Sequence, residues 1–179
     1  MTLGMGEAMI NYLDKETYLA KVKDARKLYK GTNWNSSRWH YHGVTVELAK
    51  KVEISKPSDV LELGSLGVQF IEGSDTMDYD KHWNLEGWQP TIQHDARDIP
   101  WPIMKGEYKL FIASRVWQHL GDKQEAAFHE AKRIAENLLL VIPLVYGKGG
   151  AVSLDQIVEW NGGNPVVYDR AGNNGIYLL

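Results

Sequence analysis

The chain of 179 residues contains no cysteine, which excludes disulfides and thiolate metal sites. It has no apolar run approaching the length that crosses a membrane. The start, Met1 to Ile10, lacks a basic stretch followed by a long apolar one. No secretory signal is therefore expected, and a cytoplasmic location is the expectation. Basic residues form no long run: 20 Lys and Arg stand against 23 Asp and Glu, a formal net charge of −3. No phosphate-tracking stripe results, which argues against nucleic acid as the main partner, and no membrane partner is expected. Internal repeats, low-complexity tracts and linkers are absent as well. Asn35-Ser36-Ser37 matches a glycosylation acceptor pattern, which carries no meaning without secretion. The oligomeric state is not legible.

What is present suits one globular domain, since 44% of the residues are apolar. Seven tryptophans and nine tyrosines are a high load, many of them within Tyr29 to Tyr41 and Trp83 to Trp101. Such residues either fill a core or wall a ligand pocket. Asp14 can cap a helix in which Tyr18, Val22, Ala25 and Tyr29 share a face, with Gly31 as its stop. Thr32 to His42 reads as a polar, aromatic loop, and Val44, Leu48 and Val52 line a second helix. Pro57-Ser58 ends that region.

Strands alternating with loops and helices follow. Val60 to Leu63, Thr76 to Met77, Thr91 to Gln93 and Lys109 to Ala113 read as strands. Leu138 to Ile142 is a continuous apolar run, as expected of a central parallel strand. Asp122 with Glu125 forms a capping box before a helix burying Phe128, Ala131, Ile134 and Ala135. Ser153 with Gln156 forms a second box, and Asn161-Gly162-Gly163 stops that helix. Val166 to Tyr168 and Ile176 to Leu178 can close the chain as a hairpin. Helices first and strands afterwards predict a three-layer α/β domain. Residues 1–56 form N-terminal helices and an aromatic loop, a cap within the same domain; residues 57–179 form the core.

In such sheets ligands bind beyond the carboxyl ends of the strands. Three strand ends offer matching polarity. Gly64 lets the backbone approach a ligand, Asp78 can accept from both hydroxyls of a ribose, and Asp95 can accept from an adenine amino group while the Ala96 N–H donates to the ring. Other readings stand beside these. Glu62 either serves a ligand or pairs with a backbone amide, and Asp95 either meets adenine or caps a turn at Arg97-Asp98. Trp34, Trp39 and Tyr41 either pack the N-terminal helices onto the sheet or form a lid over a substrate. His40-Tyr41-His42, if extended, would turn two imidazoles to one side. No acid of convincing spacing accompanies them, so no metal site is assigned.

Three segments, in this order, resemble class I S-adenosylmethionine-dependent methyltransferases from about Val60 to Pro143. Val60-Leu61-Glu62-Leu63-Gly64-Ser65-Leu66-Gly67 is similar to the family's first motif. His94-Asp95-Ala96-Arg97-Asp98-Ile99-Pro100-Trp101 is similar to the segment that closes over adenine. Tyr108 to Leu120 is similar to the fourth-strand motif, including its His119-Leu120 ending. Glu130 to Ile134 and Leu138 to Pro143 match the next helix and strand.

The resemblance implies a Rossmann-like methyltransferase sheet, mostly parallel with a C-terminal antiparallel hairpin, and S-adenosyl-L-methionine as cofactor. It implies cofactor contacts by Glu62, Gly64, Ser65, Asp78, Asp95, Ala96 and Ser114. Trp34, Trp39, Tyr41 and Arg115 would meet a small-molecule or glycan acceptor. His119 would be the catalytic base, with His40 and His42 after it; alternatively His119 only hydrogen-bonds locally.

Two departures stand out. Leu66 occupies the place of the family's second glycine, and the gap from Gly67 to Asp78 is too short for a helix plus a strand. A short, methyltransferase type 11-like branch of the family lacks this helix, and is often associated with sugar or glycan methylation. Without the helix N-terminus a dinucleotide pyrophosphate loses its dipole, which disfavours an NAD-dependent oxidoreductase. A non-catalytic cofactor-binding protein on the same fold is the remaining competitor.

Overall fold

The computed structural model describes residues 9–28, 36–79, 88–147 and 150–179. Expectations placed on Tyr29, Gly31, Trp34 and Trp83, and on the side chain of Ala25, lie outside the described residues. Asp14 starts the first helix as expected: its Oδ1 accepts from the Thr17 N–H at 2.7 Å. Helix α1 (Lys15–Leu28) then buries Tyr18 and Val22.

The expected loop running through His42 is corrected. A 3-10 turn (Ser36–Arg38) leads directly into helix α2 (Trp39–Ala49). This helix buries Tyr41, His42, Thr45, Val46, Leu48 and Ala49, while Val52 lies beyond its end. Its buried face is built as much from Tyr, His and Thr as from aliphatics, so no clean apolar stripe marks it. The buried Thr45 hydroxyl donates back to the Tyr41 carbonyl at 2.7 Å.

Seven strands form one sheet in the order β3-β2-β1-β4-β5-β7-β6. They are β1 (Val60–Leu63), β2 (Asp75–Asp78), β3 (Ile92–Gln93), β4 (Tyr108–Ser114), β5 (Ala135–Pro143), β6 (Val167–Ala171) and β7 (Asn174–Leu178). Strands β1 to β5 pair in parallel. Strand β7 runs antiparallel to β5, and β6 antiparallel to β7. The strand order reverses between β1 and β4, the place where ligands bind in open α/β sheets.

Residues of the central strands alternate between two buried cores. Phe111 and Ala113 of β4, with Leu138, Leu140 and Ile142 of β5, face one core. That core includes Phe128, Ala131 and Ile134 of helix α3 (Gln124–Ile134) and Ile157 of helix α4 (Leu154–Trp160). Leu110, Ile112, Leu139 and Val141 face the other, with Tyr18, Val22, Tyr41, Val46 and Leu48 of α1 and α2. The period of two matches the pleat, so one continuous apolar run serves both layers.

Ser153 and Gln156 form the expected capping box at α4. The expected box of Asp122 and Glu125 is not made. A 3-10 turn (Gly121–Lys123) runs straight into α3, and its N-cap Lys123 has helical backbone and no side-chain cap bond. An oxygen cap needs an extended residue at that point. Ala135, expected on α3, is extended (φ −132°) and opens β5.

No helix lies between β1 and β2, as the short spacing implies. Glu62 organises the loop that replaces it. Its carboxylate accepts from Phe70 N and Ile71 N, each at 2.9 Å, and from Ser74 Oγ at 2.9 Å. The loop also pairs with the chain start, through Leu13 N to Phe70 O and Glu72 N to Asn11 O. Among the described residues no helix is long and apolar enough to cross a membrane.

Candidate ligand-binding site

A cavity of about 590 Å³ opens at the carboxyl ends of β1 to β4. That size suits a nucleoside-bearing ligand and a small co-ligand. Strand β1 delivers Glu62, Gly64, Ser65 and Leu66; β2 delivers Asp78 and Tyr79; the turn after β3 delivers His94 to Arg97; β4 and the turn after it deliver Ser114 to Val116, Gln118 and His119. Helix α2 and the turn before it close the wall with Arg38, Tyr41 and His42, and Tyr146 comes from beyond β5.

The turn after β1 keeps left-handed backbone at Gly64 (φ 68°), Leu66 (φ 53°) and Gly67 (φ 83°). Leu66 thus holds the conformation of the glycine it replaces, at a cost of about 1–2 kcal/mol. A Cβ at Gly64 would lie 2.5 Å from Val116 Cγ2, so the Val116 side chain packs directly on the Gly64 backbone. Gly64 N donates to Met77 O at 3.0 Å.

The expected ligand-contacting residues differ in how much capacity they retain. Glu62 lines the wall, yet its carboxylate is occupied by the loop, in agreement with the backbone-amide alternative. Burial pushes its pKa up to about 7 against the pull of its three donors. Asp95 caps a turn, accepting from Arg97 N at 2.9 Å, and forms a two-oxygen pair with the Arg97 guanidinium. The Arg97 hydrogen bond holds the Asp95 carboxyl below its ordinary value. Ala96 is anchored through its carbonyl, which accepts from Trp101 Nε1 at 3.0 Å. Trp101 N in turn donates to Glu130, which pairs with Arg133. Asp78 is buried, and its Oδ1 accepts from Tyr79 N at 2.9 Å.

Ser65 Oγ, Ser114 Oγ and Gln118 Oε1 line the cavity, are buried, and have no protein partner among the described residues. Buried polar atoms are ordinarily hydrogen-bonded, so this wall keeps hydrogen-bonding capacity that water or a polar ligand can use.

His119 is exposed on a 3-10 turn (Trp117–His119) and meets the Tyr146 ring edge-on. Burial of its ring, then the Arg115 charge, lowers its pKa, which keeps the imidazole neutral at pH 7. Gln118 Nε2 lies 3.2 Å from His119 Nε2 and donates to Arg115 O. That contact makes Nε2 the acceptor and leaves the proton on Nδ1. His42 is deep in an aromatic stack with Tyr18, Tyr41 and Phe70, and burial pulls its pKa down to about 3. His40 is exposed and bonds the Ser37 carbonyl. The helical backbone separates the two imidazoles, and the described residues contain no cluster able to hold a metal.

Of the expected acceptor residues, Tyr41 and Arg115 reach the cavity. Trp39 does not line it. Its indole packs on Tyr18 and under Gly43, as in the packing alternative. Arg38, Tyr79, Arg97, Gln118 and Tyr146 were not singled out from the sequence. Adjacency to Asp78 marks Tyr79, and the strand-end rule reaches Tyr146. Nothing local marks Arg38.

Sheet order, antiparallel closing strand and cavity position together define the class I S-adenosylmethionine-dependent methyltransferase fold. No protein-family profile matches the chain, and no curated protein matches it in sequence. Solved structures are similar to it in fold. A putative S-adenosyl-L-methionine-dependent methyltransferase from Methanococcus maripaludis is 13% identical, with 98% of this chain and 96% of that one covered, at a TM-score of 0.54. A SAM-dependent methyltransferase from Aquifex aeolicus is 11% identical, with 93% and 98% covered, at 0.52. Magnesium protoporphyrin IX methyltransferase from Synechocystis, solved with bound SAM, is 16% identical, with 93% and 96% covered, at 0.52.

Proposed function

We propose that the chain is an S-adenosylmethionine-dependent methyltransferase acting on a small-molecule or saccharide acceptor. The observation that carries this reading is the wall of buried polar atoms without a partner among the described residues (Ser65 Oγ, Ser114 Oγ, Gln118 Oε1), at strand ends that also present Asp78 and Ala96. When bound, the cofactor supplies an electrophilic methyl on sulfur, whose departure leaves a neutral thioether. Asp78 accepts from the ribose hydroxyls, and Ala96 and Asp95 meet the adenine edge. Ser65 and Ser114 complete their hydrogen bonds on the ligand. Glu62 positions the loop after β1 rather than touching the ligand. The neutral His119 takes the acceptor's proton as the acceptor atom bonds to the methyl carbon. This requires Gln118 to release its Nε2. Tyr41, Arg115 and Tyr146 face the acceptor, and alignment of the two reactants supplies most of the rate.

Calorimetry with S-adenosylmethionine and S-adenosylhomocysteine tests this. Micromolar binding that Asp78→Ala weakens at least about tenfold is expected, and no heat with either compound on folded protein would sink it. A second reading, cofactor binding without catalysis, draws on Leu66 in the cavity wall and on the engaged Nε2 of His119. Binding accompanied by no methyl transfer across a panel of acceptors would favour it.

A further inference from the structure

We propose that the cavity end between Arg38 and Arg115 is an anion subsite that binds a carboxylate or phosphate carried by the acceptor. The proposal rests on the methyltransferase reading and narrows its substrate class. Arg115 has left-handed backbone (φ 61°) fixed by its N–H to Val141 O at 2.8 Å. Its Nη1 donates to Asn174 Oδ1 at 2.6 Å. Asn174 is itself buried at the start of β7 and holds the Ala171 carbonyl through Nδ2. The guanidinium is therefore oriented by a neutral oxygen, and its charge is not cancelled. Among the described residues Arg115 forms no ion pair. The carboxylates of the cavity belong to other parts of the wall: Glu62 ties the loop after β1, Asp95 pairs with Arg97, and Asp78 ends β2.

Arg38 lines the same wall, and both guanidinium charges act on the Tyr41 phenol, which burial otherwise pushes up. Positive charges around an aromatic wall suit a planar or tetrahedral oxyanion, which an arginine fork grips with two bonds. Tyr41 and Tyr146 supply apolar faces for the body of such an acceptor.

The same chemistry could come from the methionine carboxylate of the cofactor, so the test separates the two sources. Inorganic phosphate and malonate are titrated into the full chain, alone and saturated with S-adenosylhomocysteine. Binding is expected in both states, weakened at least about tenfold by Arg115→Gln, with S-adenosylhomocysteine affinity within about twofold of wild type. Unchanged anion affinity in the variant overturns the proposal. So does competition by S-adenosylhomocysteine, with the variant losing that ligand but keeping methylthioadenosine, which lacks the carboxylate. Failure of S-adenosylhomocysteine to bind wild type sinks the methyltransferase reading, while the anion titration of the ligand-free protein still decides the subsite. Arg115→Met replaces Arg115→Gln if the latter lacks the wild-type circular dichroism spectrum.

Discussion

Glu62 is the strongest point at which to perturb this molecule. It is 1% exposed, and its two oxygens serve opposite donors, Oε2 for Phe70 N and Oε1 for Ile71 N and Ser74 Oγ. A glutamine can satisfy one side only. Whichever way it is turned, its amide nitrogen faces a backbone N–H, and one buried unsatisfied donor costs about 1–3 kcal/mol. Burial also raises the carboxyl from 4.5 to about 7. A raised folded-state value stabilises the protein below the unfolded value, and that contribution is lost as pH climbs through about 7. The difference between 4.5 and about 7 corresponds to about 3 kcal/mol. Glu62→Gln is thus expected to be less stable than wild type at pH 5, and the gap should close or reverse by pH 8. Urea unfolding of both proteins across that range reads the difference, in which pH effects of other groups cancel. A gap that widens with pH would refute the reasoning. It would mean that the three donors outweigh burial and hold the carboxylate ionised.

Gly64→Ala places a Cβ 2.5 Å from Val116 Cγ2 in left-handed backbone; a loss of at least about 1–2 kcal/mol is expected, with S-adenosylhomocysteine affinity falling in parallel, read by unfolding and calorimetry. Ser153→Ala removes the cap of α4 and should cost about 1 kcal/mol in urea unfolding while leaving ligand affinity unchanged. The Arg133 hydrogen bond holds the Glu130 carboxyl below its ordinary value. That contribution is present above the unfolded value and lost as pH falls, so Glu130→Gln should be destabilised at pH 7 and approach wild type in acid denaturation. His119→Ala is expected to abolish proton-dependent methyl transfer while retaining S-adenosylhomocysteine binding, a split that activity assays and calorimetry read separately.

Sheet positions were legible because strand patterns are local. The apolar run of β5 and the Ser153 box needed only neighbours in sequence, and the count of residues between Gly67 and Asp78 excluded a helix there. The second helix was legible from Val44 and Leu48, but its start at Trp39 was not: the aromatic partners of His42 are Tyr18 and Phe70, far away in the chain. Residue order and spacing were enough to put Gly64, Ser65, Asp78, Asp95, Ala96, Ser114 and His119 at the carboxyl edge of a parallel sheet, since they dictate where strands end. What those groups have left to offer depends on contacts between distant segments. Glu62 is consumed by a loop and Asp95 is shared with Arg97. Among the described residues the Arg115 charge meets no carboxylate beside Tyr41, because hydrogen-bond partners are set by packing between segments that sequence distance does not reveal.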